Sequence, residues 1–250
     1  MSTLLLINPN TTASITALVL KHAKRFAAKG TTVRAVTGAF GPRYIASRIG
    51  YAIASHAAVD ALANDTARKD AIVLACFGDP GLAALKEVSK VPVVGMAEAA
   101  MLVACTLGRS FGIVSFSRSL EPWFAEIVAW HGLSGRCAAI RTLDEAFTSI
   151  DEVQEEKEQV LVELANRTVA NDQADVIILA GAPLAGLANK IRERVPVPLV
   201  DGIQAAVTMA EGLVRLNPRK ATAGTFRRPG PKDSKGLASA LADVIAHKDR

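Results

Sequence analysis

The sequence predicts an α/β protein of two similar halves, each built on a four-stranded parallel sheet flanked by helices, with the active site in the cleft between them. Short apolar runs alternate with longer helical runs along the 250 residues, and residues typical of turns and helix caps separate them. The pattern of the first half recurs in the second. Half of the residues are hydrophobic, which is ample for a packed core.

Two strand-turn-helix segments carry the repeat most clearly. Residues 70–82 are DAIVLACFGDPGL and residues 175–184 are DVIILAGAPL, so an aspartate, an apolar strand and a turn of small residues come in the same order. Placing Asp70 on Asp175 places Cys76 on Gly181. Because open parallel sheets bind ligands at the carboxyl ends of their strands, we expect the turns at Cys76 and Gly181 to face each other across the site.

In the first half, strands are predicted from apolar runs too short for helices, and helices from longer runs that follow turn and capping residues. Gly30 ends the first helix, and Asp79 with Pro80 predicts an acidic cap and a first-turn proline for the third. In order, the elements are a strand at 3–7, a helix to about 28, a strand at 32–36, a helix at about 51–68, a strand leading to 76, a helix at 81–89, a strand at 93–94 and a helix at 97–107.

The second half follows the same rules. Trp123 and Trp130 lie in one helix, where large apolar side chains more often pack than bind a ligand, and the acidic residues from Asp151 onward favour the start of a long helix. In order, the elements are a strand at 111–114, the tryptophan helix, a strand at 137–141, a helix from 151 to about 170, a strand ending at 180, a helix from 184, a strand ending at 200–201, a helix at 202–216, an exposed segment at 217–233 and a helix at 234–247.

Cys76 is the residue on which the functional hypothesis depends. The positive end of the following helix dipole lowers the pKa of a thiol, so we expect a thiolate near neutral pH and faster alkylation than at Cys105 or Cys137. The alternative is that Cys76 is a buried small hydrophobic residue, as a lone cysteine usually is. Its position at the strand end favours the first interpretation.

The composition limits the partners and cofactors. Three widely spaced cysteines without paired histidines predict neither disulfides nor a zinc site, and no nucleotide-binding loop or serine nucleophile motif occurs, so we expect no cofactor and no metal. Much of the net charge of +5 lies in the tail and aromatic residues are few, so no nucleic-acid partner is expected. With neither a signal-peptide pattern nor an apolar run of ~20 residues, the chain is expected to be cytoplasmic and to contact no membrane.

Four motifs, in this order, resemble the aspartate/glutamate/hydantoin racemase superfamily. They are Ile7-Asn8-Pro9-Asn10-Thr11, Cys76-Phe77-Gly78-Asp79-Pro80-Gly81, Ala185-Gly186-Leu187 and Val200-Asp201-Gly202. The resemblance implies a pseudo-symmetric pair of domains, cofactor-independent chemistry at a carbon next to a carbonyl, and two cysteines on opposite sides of the substrate. Gly181 stands where the second cysteine is expected, and the segment 41–45 is more basic than its counterpart in hydantoin racemases.

The expected function is that of a racemase or isomerase acting at a carbonyl-activated carbon of a small amino acid, carboxylate or cyclic amide, with Cys76 as acid and base. One alternative is a single-cysteine lyase similar to arylmalonate decarboxylases, which keep their cysteine on the other half. Another is a binding protein that has lost turnover. The expected partners are a small-molecule substrate and further copies of the chain.

The expected site residues lie at strand ends and in the loops that follow them. Besides Cys76, the residues expected to bind substrate are Asn8, Phe40, Arg43, Phe77, Gly78, Asp79, Ser115, Gly181 and Ala182. Residues 1–96 with 207–250 are expected to form the first domain, and residues 97–206 the second.

Overall fold

The computed structural model describes residues 1–144, 149–150 and 152–248. Within this part of the chain, strands and helices alternate as the sequence predicts. The strands are β1 (Ser2–Asn8), β2 (Thr31–Thr37), β3 (Ala71–Leu74), β4 (Val93–Gly95), β5 (Phe111–Ser115), β6 (Cys137–Thr142), β7 (Val176–Leu179) and β8 (Leu199–Asp201). The α-helices are α1 (Ala13–Phe26), α2 (Arg48–Asn64), α3 (Leu82–Val88), α4 (Met96–Leu107), α5 (Glu121–Trp130), α6 (Val153–Asp172), α7 (Leu187–Ile191), α8 (Gly202–Leu216) and α9 (Ser239–Ile245).

The strands form two parallel sheets of identical topology, which confirms the predicted fold class. The first sheet has the order β2-β1-β3-β4 and the second the order β6-β5-β7-β8. In the first sheet Leu4 pairs with Ala71, and in the second Phe111 pairs with Val176, so β3 and β7 hold equivalent central positions. The turns that follow β3 and β7 therefore leave their sheets at equivalent points, as the alignment of Cys76 with Gly181 predicts.

One continuous core joins the two halves. Along β1, Leu4 and Leu6 point into this main core, whereas Leu5 and Ile7 point into a smaller cluster under α2 and α3 on the other face of the sheet. Both faces of the strand are therefore buried, which explains why the run is apolar without alternation. The main core also takes in β5, β7, α4 and α8.

Helices α4 and α8 pack against each other and cross between the halves. Helix α4 follows the first sheet but contacts β5, β7 and β8, whereas α8 follows the second sheet but contacts β1, β3 and β4. A division into residues 1–96 with 207–250 and residues 97–206 matches this exchange, and we keep those boundaries as a proposal. Residues 249–250 lie outside the described part of the chain.

Several helix limits differ from the predicted ones for local reasons. Helix α2 begins at Arg48 because the Ser47 hydroxyl accepts a hydrogen bond from the Gly50 N–H, and it ends at Asn64. Helix α6 begins at Val153, and the predicted start at Asp151 lies outside the described residues. None of the described helices is long and apolar enough to cross a membrane.

Asp79 does not cap the helix that the sequence predicts it to cap. Helix α3 begins at Leu82 after Gly81, and the Asp79 carboxylate instead accepts hydrogen bonds from the N–H groups of Ala97 (3.0 Å) and Glu98 (2.8 Å) at the start of α4. The second half uses a different residue for the same purpose. There Asp201, the last residue of β8, accepts from Ile203 (2.9 Å) and Gln204 (3.0 Å) at the start of α8.

Because Asp201 also accepts a hydrogen bond from the Gly186 N–H (2.5 Å), Asp201→Ala should leave three backbone donors without their partner. We expect the free energy of unfolding to fall by about 1–2 kcal/mol, as for other helix caps. Urea titration followed by circular dichroism measures the change. Asp233→Ala, in the exposed tail, is the control and should leave the midpoint unchanged. Equal midpoints for the two variants would contradict a stabilising role of the cap.

Candidate active site

A small cavity lies between the carboxyl ends of β3 and β7. Its volume is about 30 Å³, which is room for one or two water molecules. Aromatic and aliphatic side chains form most of its wall. The lining residues are Asn10, Ile15, Arg43, Tyr44, Ile45, Cys76, Phe77, Phe116, Leu120, Trp123, Phe124, Ile150, Gly181, Ala182 and Pro183.

Cys76 lies on this cavity, two residues after the end of β3, and only 8 % of its surface is exposed. Burial raises the pKa of its thiol well above the ordinary value, and the nearby Asp79 carboxylate raises it further. The expected lowering of this pKa by the next helix is therefore wrong. Helix α3 has only seven residues, and the dipole at its N-terminus does not offset the loss of hydration.

Gly181 faces the same cavity from the second half, and Phe116 covers it. Its backbone has φ +120°, a conformation that L-residues rarely adopt. A Cβ atom added at Gly181 would lie 2.8 Å from Cε1 of Phe116. Phe116 therefore fills the space that a side chain at position 181 would need, and a cysteine there would require both a strained backbone and a displaced ring.

A cluster of aromatic rings forms one wall of the cavity. The Phe77 and Phe124 rings meet edge to face at 4.9 Å, and Trp123 lies 5.9 Å from Phe124. Trp123 also lies directly against Gly78, where an added Cβ would come within 2.2 Å of the indole. The sequence predicts a packing role for Trp123 and Trp130. Trp123 both packs and lines the cavity, whereas Trp130 is 56 % exposed.

The loop after β2 brings Arg43 and Tyr44 to the cavity. Two hydrogen bonds attach this loop to the start of α1: the Thr12 hydroxyl donates to the Arg43 carbonyl (2.7 Å), and the Thr11 N–H donates to the Pro42 carbonyl (3.2 Å). Arg43 keeps an exposed side chain at the edge of the cavity. Tyr44 extends deeper, and its ring lies 6.2 Å from Phe116 of the second half.

The structure brings five of the predicted site residues to the cavity and gives the other five different surroundings. Arg43, Cys76, Phe77, Gly181 and Ala182 line it. The remaining five, which do not line it, are Asn8, Phe40, Gly78, Asp79 and Ser115.

Three of these five have polar partners elsewhere in the structure. Asn8 is buried and donates to Asn10 and Thr16 (both 2.9 Å), which holds Asn10 at the cavity wall. The Ser115 hydroxyl donates to the Ala180 carbonyl (2.8 Å), so it joins the two central strands and does not point at a ligand. Asp79 caps α4, as described above. The buried partners of these polar side chains are a tertiary property that spacing in the sequence does not reveal.

Gly78 and Phe40 have packing roles. Gly78 supports Trp123, and the Phe40 ring meets His56 edge to face at 4.9 Å on the surface, where 36 % of Phe40 is exposed. Both residues therefore lie near the site without forming its wall.

Sequence reasoning missed most of the aromatic wall. Tyr44, Phe116, Trp123 and Phe124 line the cavity, and of these only Tyr44 and Phe116 are next to an expected site residue. The repeat carried a usable signal for Phe116, since it directly follows the strand β5 in the loop equivalent to residues 8–12. Tyr44 directly follows Arg43 and could have been found from the same loop.

Backbone N–H groups in the turns after β3 and β7 have no acceptor among the described residues. In the described part of the chain, none of the N–H groups of residues 76–78 and 181–182 donates a hydrogen bond to another protein group. Backbone donors that point into a site with little water stabilise a developing negative charge on oxygen. Across residues 1–144, 149–150 and 152–248, no group of three or more His, Cys, Asp or Glu side chains is arranged so that it could hold a metal ion.

Comparison with known proteins gives consistent results. The sequence profile of the Asp/Glu/hydantoin racemase family matches residues 4–210. The hydantoin racemase of Paenarthrobacter aurescens is 32% identical over 231 residues, which cover 92% of this chain and 98% of that protein. Among solved structures, allantoin racemase from Pseudomonas fluorescens is 33% identical, with a TM-score of 0.88 over 94% of this chain and 100% of the other.

Two further solved structures bear on the alternatives. Allantoin racemase from Klebsiella pneumoniae is 29% identical, with a TM-score of 0.91, and the match covers 96% of this chain and 99% of that one. Arylmalonate decarboxylase has a TM-score of 0.62 at 18% identity, over 88% of this chain and 96% of the other. The similarity to arylmalonate decarboxylase shows a shared fold and nothing more.

Gly181→Ala should destabilise the protein by more than a strained backbone alone, because the new methyl group would collide with Phe116. Gly30→Ala is a matched control, since Gly30 has φ +93° and nothing within 4 Å of an added Cβ. We expect about 1–3 kcal/mol of strain at each position and a further loss at 181. Thermal unfolding compares the two variants.

The excess loss at position 181 should shrink when Phe116→Leu is combined with Gly181→Ala. If Gly181→Ala and Gly30→Ala unfold at the same temperature, the collision with Phe116 does not add to the destabilisation at position 181.

Alkylation of the native protein by iodoacetamide should be slowest at Cys76. Its thiol is buried and its pKa is raised, burial also raises the pKa of Cys137 to about 11, and Cys105 is half-buried. Because the thiolate is the reactive form, labelling of Cys76 should still increase with pH above ~8.5, the pKa of a free thiol. Mass spectrometry of tryptic peptides gives the three rates. Fastest labelling at Cys76 near neutral pH would contradict this result and indicate that the pKa of the Cys76 thiol is lowered.

Proposed function

The chain belongs to the Asp/Glu/hydantoin racemase family, and we propose that it racemises a 5-substituted hydantoin ring without a cofactor. The family and the full-length similarity to hydantoin and allantoin racemases support an isomerase of the racemase type. The observation that carries the finer proposal is the site itself. The Cys76 thiol lies on a narrow apolar cavity between the two strand ends, and the turns that carry Cys76 and Gly181 hold backbone N–H groups without an acceptor in the described part of the protein.

The charge of the cavity wall favours a cyclic amide over an acidic amino acid. Arg43 is the one charged side chain among the described lining residues. Aspartate or glutamate would bring two carboxylates and an ammonium group into this space, and buried charges need partners of opposite sign. A hydantoin ring is planar and uncharged, and its amide groups need only hydrogen bonds. The rings of Phe77, Phe116 and Trp123 offer surfaces against which a planar ring can stack.

The proposed chemistry begins with proton removal from C5 of the ring by the Cys76 thiolate. The C–H bond breaks, an S–H bond forms, and the electron pair moves onto the neighbouring carbonyl oxygen to give an enolate. The unused N–H groups of residues 76–78 and 181–182 support this step, because donors fixed before the reaction stabilise the enolate oxygen. Proton return to the opposite face then inverts C5.

Arg43 is proposed to orient the substrate from the edge of the cavity. Its backbone is fixed by the Thr12 hydroxyl, while its side chain stays exposed beside the entrance. The guanidinium group offers several donors in one plane, a geometry that suits a ring carbonyl or a ureido substituent as well as a carboxylate.

The proposal predicts that the protein racemises 5-substituted hydantoins or allantoin but neither aspartate nor glutamate. Polarimetry on single enantiomers measures inversion, and NMR in deuterated water measures exchange at C5. Cys76→Ser should lower both rates by a factor of about 10² to 10⁴, the usual contribution of a general acid–base group. Cys105→Ser should turn over normally, because Cys105 lies outside the cavity wall.

The pH dependence follows from the direction of the Cys76 pKa. Because the thiolate is the base and the pKa of the thiol is raised, kcat/KM should increase roughly tenfold per pH unit up to and beyond pH ~8.5. A flat profile between pH 6 and 8, or full activity of Cys76→Ser, would contradict the role of Cys76. Racemisation of aspartate but not of hydantoins would contradict the substrate class.

A single-cysteine lyase is the second candidate, and one observation favours it. Gly181 supplies no side chain, so Cys76 is the one thiol on the described cavity wall, and its raised pKa suits a proton donor. In a decarboxylation the C–C bond to a carboxylate breaks, carbon dioxide leaves with its oxygens, and the remaining enediolate takes the thiol proton. Release of carbon dioxide from a substituted malonate, lost in Cys76→Ser, would support this candidate.

A further inference from the structure

A racemase needs a proton-transfer group on each face of its planar intermediate, and the described lining of the cavity includes one thiol. Cys76 serves the face toward the first half, whereas Gly181 opposite has no side chain. Building on the proposed function, we propose that the Tyr44 hydroxyl is the second proton-transfer group and that Ser117 and Ser119 connect it to solvent.

The packing of Tyr44 supports its position on the second-half side of the cavity. Its backbone belongs to the first half, but its ring lies 6.2 Å from that of Phe116, the residue that covers Gly181 at 2.8 Å from an added Cβ. Ser117, in the loop after β5, also acts on the Tyr44 hydroxyl, because it opposes the rise in the pKa of the phenol. The Tyr44 ring therefore packs near the residue that covers Gly181, the position that aligns with Cys76.

The other polar groups near this face are less suitable as acids. The Ser115 hydroxyl is buried and donates to the Ala180 carbonyl. Asn10 is an amide whose oxygen already accepts hydrogen bonds from Asn8 and from the Thr12 N–H, both at 2.9 Å. The guanidinium group of Arg43 and the indole N–H of Trp123 donate hydrogen bonds but accept none. Tyrosine is an established general acid and base in enzymes.

The state of the phenol fits a donor. Burial raises the pKa of Tyr44, and the Ser117 hydroxyl offsets only part of this effect. The phenol is therefore protonated at neutral pH and can give a proton to an enolate, while the thiolate form of Cys76 acts as the base.

Two serines extend from the phenol toward water. The hydroxyls of Ser117 and Ser119 lie 2.9 Å apart, Ser117 is half-buried, and Ser119 is exposed. Hydroxyl groups both donate and accept, so a chain of them can pass a proton along. The proposed path therefore runs over three hydroxyls, from Tyr44 on the cavity wall through Ser117 to Ser119 at the surface.

The proposed proton transfers form a closed cycle. After Cys76 has taken the proton from C5, the enolate electron pair forms a new C–H bond on the opposite face with the proton of Tyr44, whose O–H bond breaks. The phenolate then takes a proton from Ser117, Ser117 takes one from Ser119, and Ser119 takes one from water. Cys76 returns its proton to solvent, so no net proton is gained or lost.

Tyr44→Phe tests the proposal, with Tyr51→Phe as the matched control. The sequence has two tyrosines, and Tyr51 lies outside the wall of this cavity, in contact with Trp123 from behind. We expect Tyr44→Phe to lower inversion by a factor of about 10² to 10⁴ while deuterium exchange continues at the face of Cys76. The ratio of exchange to inversion should therefore rise, and Tyr51→Phe should leave it unchanged. Circular dichroism checks that both variants fold.

Ser117→Ala tests the path to solvent. It keeps the phenol but interrupts the hydroxyl chain, so inversion should slow by less than in Tyr44→Phe, and small buffer acids should restore part of it. Inversion by Tyr44→Phe at the rate of the unmodified protein would overturn the role of Tyr44 but leave the proposed function intact, provided that Cys76→Ser still abolishes exchange. If the unmodified protein neither exchanges nor inverts hydantoins, both proposals are overturned.

Discussion

The packing of α4 against α8 determines the geometry of the site. Each helix starts in one half and lies against the sheet of the other, and both helices bury small side chains such as Ala104 and Ala206 in the shared core. The capping carboxylates Asp79 and Asp201 fix where the two helices begin. Because β3 and β7 then end at equivalent heights, Cys76 and Gly181 face the same narrow space.

Burial in this cavity raises the free energy of a charged side chain, and this affects the proposed proton transfers. The space is lined by rings and aliphatic groups, so an anionic thiolate or phenolate is disfavoured when the cavity is empty. A low-dielectric site also strengthens each hydrogen bond from a fixed N–H group to an enolate oxygen. In the proposed reaction, the poor stability of the free thiolate and the strong stabilisation of the enolate have the same cause, which is the exclusion of water by Phe77, Phe116 and Trp123.

The sequence predicts more of the fold than of the candidate site. The repeat of strand, turn and helix was enough for the two sheets and for the pairing of Cys76 with Gly181, because these depend on local patterns. Asp79 illustrates the limit, since the residue was correctly recognised as a cap but its helix is α4, which begins seventeen residues later along the chain. Tyr44 and Trp123 reach the cavity only through tertiary packing. The pKa of Cys76 depends on burial, which competes with the dipole that sequence reasoning considered alone.

The continuity of the main core has a consequence for how ligands enter. Side chains from both sheets and from α4 and α8 share one hydrophobic interior, so parting the halves like a hinge would expose a large apolar surface to water. The cavity of about 30 Å³ is much smaller than the hydantoin ring proposed as the substrate. A motion of the surface loop that carries Arg43, at the edge of the cavity, would expose far less apolar surface, and its rate would set an upper bound on turnover that is independent of the proton transfers.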